Sequence, residues 1–123
     1  VRDKALTLFE GNFRRNYLHV KDAAYAFLFA LDNAEKMFGQ AYNVGLSSAN
    51  LSKRDLCSKI QDHIPGFVYH ESAVGEDPDK RDYTVSNAKI EALGWKPNYS
   101  LDDGIKELIK GYAMPLESEY RNA

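Results

Sequence analysis

The sequence predicts a small mixed α/β domain. Short strand-prone runs alternate with stretches whose apolar residues recur at helical spacing, and Gly, Pro and Asn punctuate the boundaries between them. The 123 residues, 44% of them hydrophobic, suffice for one domain with a modest core.

Leu6-Thr7-Leu8-Phe9 reads as a strand, Glu10-Gly11-Asn12 as a turn, and Arg15 to Val20 as a second strand beside the first. Asp22 is placed as the cap of a helix reaching Glu35, because Ala23, Phe27, Ala30, Leu31 and Ala34 share one face; Gly39 closes it. Ala41-Tyr42-Asn43-Val44-Gly45 has the composition of a short buried strand, and Ser47-Ser48-Ala49-Asn50 that of a polar loop. Ser52 with Asp55 three residues later forms an acidic capping box for a helix striped by Leu56, Ile60 and Ile64, which Pro65-Gly66 stops. Phe67-Val68-Tyr69-His70 is a further strand, followed by an acidic loop over residues 71–80. Ser86 or Asn87 opens a short helix to Leu93, closed by Gly94 in a left-handed cap and by Pro97. Ser100 with Asp103 caps the last helix, whose stripe is Leu101, Ile105, Leu108, Ile109 and Tyr112. Residues 117–123 have little to bury and are expected to form a flexible tail to a unit spanning residues 1–116. So few short strands make a thin layer, so the unit is expected to lean on something else.

The net charge of -2, from 16 basic and 18 acidic residues, offers no bulk field for nucleic acid or an anionic membrane, so an anion site has to be local. No apolar run reaches the roughly 20 residues of a membrane span, and residues 1–4 lack a signal-peptide core; the expectation is a cytoplasmic protein. The single cysteine, Cys57, falls at helical spacing among apolar residues and is read as a buried, inert thiol. His19, His63 and His70 have no metal-ligand spacing, so no metal site is expected; His19 is assigned to packing and the other two to the surface or a loop edge. Trp95 is read as a packing anchor.

Two segments carry the chemistry that remains: Arg15 with its neighbours, and Asp77-Pro78-Asp79-Lys80-Arg81-Asp82-Tyr83. A guanidinium suits phosphate because its planar fork donates two parallel hydrogen bonds and keeps its charge. Spacing alone leaves two readings open for Arg15 and Arg81: a clamp for a diphosphate, or solvated arginines paired with acids such as Asp79 and Asp82.

Arg15-Asn16-Tyr17-Leu18-His19-Val20-Lys21-Asp22 resembles the Arg-Asp-Tyr/Phe-Ile-His-Val-x-Asp segment of the extended short-chain dehydrogenase/reductases, the NAD(P)-dependent nucleotide-sugar epimerases and dehydratases. Tyr42-Asn43-Val44-Gly45 is similar to their Tyr-Asn-Ile/Val-Gly strand, and Arg81 to Pro97 resembles their closing stretch of Arg, a Ser/Asn-x-Lys helix and Leu-Gly-Trp-x-Pro. The resemblance implies the small mixed α/β substrate-binding subdomain of a Rossmann-type extended enzyme, without its amino-terminal Rossmann half. The absence of an initial methionine fits that expectation. By the same resemblance, Arg15 and Arg81 grip the diphosphate of a nucleoside-diphosphate sugar, with Asp79 and Tyr83 in the same nucleotide-binding loop. The chain departs from the family pattern at Asn16 and Ser86, where aspartate is common, and over residues 77–80.

A dinucleotide site needs a glycine-rich turn between strand and helix, and the eight glycines never take that spacing; NAD or NADP is therefore expected to bind the intact protein outside this chain. Tyr17-Leu18-His19-Val20-Lys21 matches the family's catalytic Tyr-x-x-x-Lys string, yet it coincides with the His-Val-x-Asp segment and is read as chance, leaving no catalytic residue here. The chain alone is expected to be inactive, its partners being the nucleotide sugar and the missing Rossmann portion, with a homodimer of the intact protein left open. The rival reading is a non-catalytic binding or interaction module that reuses the scaffold.

Overall fold

A computed structural model describes residues 3–114; the expected tail at residues 117–123 and the end of the 1–116 unit lie outside the described residues. The chain runs β1 (Ala5–Phe9), β2 (Arg14–Asn16), α1 (Val20–Asp32), α2 (Ala34–Met37), a 3-10 turn (Ser47–Ala49), β3 (Asn50–Ser52), α3 (Lys53–His63), β4 (Val68–Ser72), α4 (Ala88–Glu91) and α5 (Leu101–Ala113).

The mixed α/β class holds, but the strands pair differently from the expectation of two neighbouring opening strands. β1 lies parallel to β4, with Ala5 opposite Val68 and Phe9 opposite Ser72. β2 lies antiparallel to β3, with Arg15 opposite Leu51 and Asn16 opposite Asn50. Local composition marks strand-formers but does not choose their partners, because pairing is decided by non-local packing. Residues 41–45 form no strand, and among the described residues no strand pairs with them. The polar stretch after them instead supplies the 3-10 turn and the first residue of β3.

Both capping boxes form as the sequence predicts. Ser52 Oγ accepts from the Asp55 N–H while the Asp55 carboxylate takes the Ser52 N–H at 3.0 Å, and Ser100 and Asp103 repeat the arrangement at the head of α5. Gly94, at φ +98, supplies the left-handed residue after α4 that a side chain would strain.

The start of α1 differs from the expectation. Its cap is His19, whose Nδ1 accepts from the Lys21 N–H at 3.1 Å. Asp22 lies one turn further in and is wholly buried; its two carboxylate oxygens accept from the backbone N–H groups of Asn98 (2.8 Å) and Tyr99 (3.0 Å). The carboxylate thus serves two donors 76 and 77 residues away, and pins the chain after Trp95 onto the first turn of α1, where negative charge also suits the helix dipole. Trp95, with no exposed surface, packs with Ala26, Met37 and Ile90 in the main core, confirming it as an anchor.

α5 is fastened at two further points. His63, the last residue of α3 and so at a loop edge, has Nε2 2.7 Å from Asp102 Oδ1 and bridges α3 to α5. His19 Nε2 meets Glu107 at 3.0 Å while its ring stacks on Tyr99, in line with a packing role. Cys57 is buried, and that burial pushes its thiol pKa up, as an inert core cysteine should show.

The face of α1 expected to be buried is open. Phe27 and Leu31 are 75% and 73% exposed, and Phe38 after α2 is 91% exposed. A groove of about 430 Å³ runs beside them, lined among others by Ala23, Phe27, Ala30, Met37, Tyr42 and Val44.

Asp22→Ala would leave two part-buried N–H groups without their carboxylate partner and should destabilise the chain by on the order of 2 kcal/mol, measurable as a lower urea midpoint. Acid gives a second prediction. The capping serines hold Asp55 and Asp103, and His63 holds Asp102, below the ordinary 3.8, while Arg54 holds Glu71 below 4.5. Depressed carboxyl groups stabilise the fold above their unfolded values, and that stability is lost as pH falls through the folded ones. The urea midpoint should therefore change little on account of these groups above pH 5 and fall progressively below about pH 4, with a smaller fall in Asp55→Asn and Asp103→Asn.

Candidate functional site

Arg15 meets Asp79, Arg81 and Tyr83, a cluster more than 60 residues further along the sequence, beside the β2–β3 ribbon. β2 supplies Arg15. Its side chain is only 14% exposed and is fixed on three sides: Nη1 donates to the Arg14 carbonyl at 2.8 Å, Nη2 donates to the Asp79 carbonyl at 2.9 Å, and the Tyr83 ring centroid lies 5.4 Å from Cζ.

Arg81 reaches the same point from a segment with no regular secondary structure. Its Nε and Nη2 donate to the two carboxylate oxygens of Asp79, each at 2.7 Å, in the parallel fork that a carboxylate and a phosphate share. Asp79 Oδ2 also lies 3.4 Å from Arg15 Nη2. The guanidinium of Arg81 holds the Asp79 carboxyl well below the usual carboxylate range. Of the two readings left open by spacing, this geometry is that of arginines paired with an acid, and it brings both arginines to the same carboxylate.

An irregular loop is ordered here because side chains satisfy its backbone. The Asn50 side-chain amide donates to the Val85 carbonyl at 2.9 Å and accepts from the Val85 N–H at 2.8 Å. Asn16, its cross-strand partner, treats Leu46 in the same way, donating at 2.9 Å and accepting at 3.0 Å. Asn16 thus uses both ends of its amide, which the aspartate common in the resembled family could not do. It also dictates Gly45, where an added Cβ would lie 1.9 Å from Asn16 Oδ1.

Nearer Arg81, Asp82 Oδ1 accepts from the Arg14 N–H at 2.7 Å and the Tyr83 N–H donates to the Arg14 carbonyl. At the head of the loop, Lys53 Nζ donates to Asp77 Oδ2 at 2.6 Å and to the Phe9 carbonyl, and Asp77 Oδ1 accepts from the Asp79 N–H at 2.8 Å. Asn50, Lys53 and Asp77 are the supporting residues that sequence reasoning missed. Only the Asp-x-Asp spacing, an Asx-turn signal, pointed to any of them.

The Tyr17–Lys21 string is split between unrelated contacts. Lys21 Nζ is engaged by both oxygens of Glu107 on α5, at 2.9 and 3.2 Å, whereas Tyr17 is half-buried, its pKa raised by desolvation. Among the described residues no cluster of three or more His, Cys, Asp or Glu could hold a metal, and no helix is long and apolar enough to cross a membrane.

Residues 1–45 match a family model described as the NAD dependent epimerase/dehydratase family. The chain is 31% identical over 105 residues to CDP-abequose synthase of Salmonella typhimurium, covering 81% of this chain and 35% of that protein. It is 32% identical over 106 residues to GDP-L-fucose synthase 1 of Arabidopsis thaliana, covering 83% of this chain and 31% of that protein. Its fold superposes with a TM-score of 0.69, at 21% identity, on a GDP-D-glycero-L-gluco-heptose synthase from Campylobacter jejuni solved in the presence of NADPH, over 91% of this chain and 34% of that one. The chain thus spans about a third of the length of the relatives it matches.

If Asn50 orders the loop, Asn50→Ala should speed amide hydrogen exchange at Val85 by about tenfold or more, for a global loss of roughly 1 to 2 kcal/mol, while exchange within α5 shifts only by the global change.

Proposed function

Given that the chain belongs to the NAD-dependent epimerase/dehydratase family of extended short-chain dehydrogenase/reductases, we propose that it is the nucleotide-sugar-binding part of an NAD(P)-dependent sugar epimerase or dehydratase. The observation that carries this reading is the convergence of Arg15 and Arg81 from distant segments on one carboxylate, the geometry in which two guanidinium groups would receive a diphosphate. Tyr83, under Arg15 and 42% exposed, would flank the nucleotide.

The residues of this chain do not fit a dinucleotide. Gly11, Gly39, Gly45, Gly66, Gly75, Gly94, Gly104 and Gly111 make no close-spaced turn from a strand into a helix. We therefore assign the NAD(P) site, and with it the redox chemistry on the sugar, to the part of the enzyme outside this chain. The contribution of Arg15 and Arg81 is to hold the diphosphate, so that the sugar is presented in a fixed place; this is catalysis by positioning, and the chain alone would not turn over. The open face of α1, with Phe27, Leu31 and the adjoining groove, is where we place the contact with that remaining part.

Calorimetric titration of the intact protein with CDP, dTDP, GDP and UDP tests the reading. At least one should bind, and Arg15→Ala should weaken it by a factor of ten or more, the loss of a charge-assisted phosphate contact; Arg81→Ala should also weaken it. Unchanged affinity in both variants would remove the grip and leave the rival interaction module.

A further inference from the structure

We infer that Asp79 is an affinity-setting residue of this site, an internal counter-anion that occupies the arginines until a phosphoryl ligand displaces it. The inference rests on the reading of Arg15 and Arg81 as a diphosphate grip and adds a role that the grip alone does not require.

The geometry leaves little alternative use for the Asp79 side chain. Its carboxylate oxygens fill the fork of Arg81 at 2.7 Å each, and one of them faces Arg15 Nη2 at 3.4 Å. An ionised carboxylate has no hydrogen to offer a phosphate oxygen, so Asp79 and a phosphoryl group compete for the same donors. The competitor is delivered by a braced loop, because the Asp79 N–H is held by Asp77, and Asp77 by Lys53. A tethered group of this kind acts at an effective concentration on the order of millimolar or higher, without the translational cost that a free ligand bears. The side chain is 39% exposed, so the carboxylate can turn into solvent when displaced.

Two consequences follow from such competition. Affinity for any phosphoryl ligand is lower than the bare arginines would give, and the ligand leaves faster because Asp79 recaptures the guanidinium groups. Both suit a site that must release a product carrying the same diphosphate as its substrate.

The test is a titration of the full chain with inorganic pyrophosphate, followed on the arginine side-chain nitrogen signals in the NMR spectrum. Asp79→Asn, which keeps the shape and removes the charge, should tighten binding at least fivefold. Glu76→Gln, a charge-matched change on the same loop whose carboxylate pairs with Lys80, should shift affinity less than twofold. Asp79→Ser serves as a second variant, and thermal melts identify which variants are folded. Tightening in a folded Asp79 variant but not in Glu76→Gln supports the inference. Equal tightening in Glu76→Gln would reduce the effect to net charge and overturn it, as would unchanged or weaker binding in the Asp79 variants. Arg15→Ala and Arg81→Ala separate the two ideas: if neither weakens pyrophosphate, the grip itself fails, and if they weaken it while Asp79→Asn does not tighten it, only the counter-anion role fails.

Discussion

The cross-strand pair Asn16 and Asn50 is the constraint on which the candidate site depends. A three-residue ribbon, Arg14–Asn16 against Asn50–Ser52, is too short to be stable alone, and the loop it must hold offers no ladder of its own. Each asparagine amide mimics a strand residue, giving one donor and one acceptor to the backbone beyond the ribbon: Leu46 for Asn16 and Val85 for Asn50. The two-stranded ribbon thereby gains lateral partners on both sides without further strands. Arg15 sits between residues so fixed, and Arg81 follows from the same stitching through Asp82 and Tyr83 on Arg14. Leaving a buried backbone group unpaired costs about 1 to 3 kcal/mol, so each amide matters on the scale of a domain's whole stability.

Packing is unequal across the molecule, and the inequality has a direction. The core formed by Ala26, Met37, Ile90 and Trp95 lies to one side of α1, and Asp22 seals that side by holding the chain after Trp95. Beside that core α1 shows Phe27 and Leu31 to solvent, and the adjoining residues 41–45, whose Tyr42 packs against the core, have strand composition but no strand partner among the described residues. An extended apolar segment beside an uncovered apolar helix is what a layered α/β fold presents where a neighbouring layer is to be added.

What the sequence disclosed follows the range of the interaction. The two capping boxes and Gly94 are set by residues within a turn or two, and they were legible, whereas of the expected α5 stripe Ile105 is buried and Leu108 and Tyr112 are exposed. Strand pairing was not, since nothing near Leu6 announces Tyr69 as its companion. Asp22 was misread for the same reason. An acid at a helix start ordinarily caps it, and only the arrival of Asn98 and Tyr99 turns this one inward. The strand expected at residues 41–45 failed because β-propensity describes a surface to be paired, and the pairing partner is the larger part of the cause. Of the site, the arginines were visible as chemistry and the family resemblance suggested their meeting; Asn50 and Lys53 were invisible because asparagine and lysine occur in too many surface roles to stand out.

The two arginines are not equivalent, and the difference bears on how a chain of net charge -2 can hold an anion. Arg15 is 14% exposed and anchored by two carbonyls and the Tyr83 ring, so its guanidinium has already lost most of its rotamer freedom. Arg81 is 73% exposed and, among the described residues, its side chain is bound to Asp79 alone. Ordering a long side chain costs up to about 2 kcal/mol, and at Arg15 that cost is met in folding. On the proposed reading, the half-buried Arg15 would fix where one phosphoryl group lies, while the exposed Arg81 would adapt to the second. Full desolvation of both would strengthen each contact but would leave two buried like charges whenever the site is empty, an arrangement the fold would have to sustain at the expense of its own stability. On the proposed reading, one fixed and one solvated arginine, with an acid between them, is an arrangement that would keep the empty site stable while leaving it able to take a phosphoryl ligand.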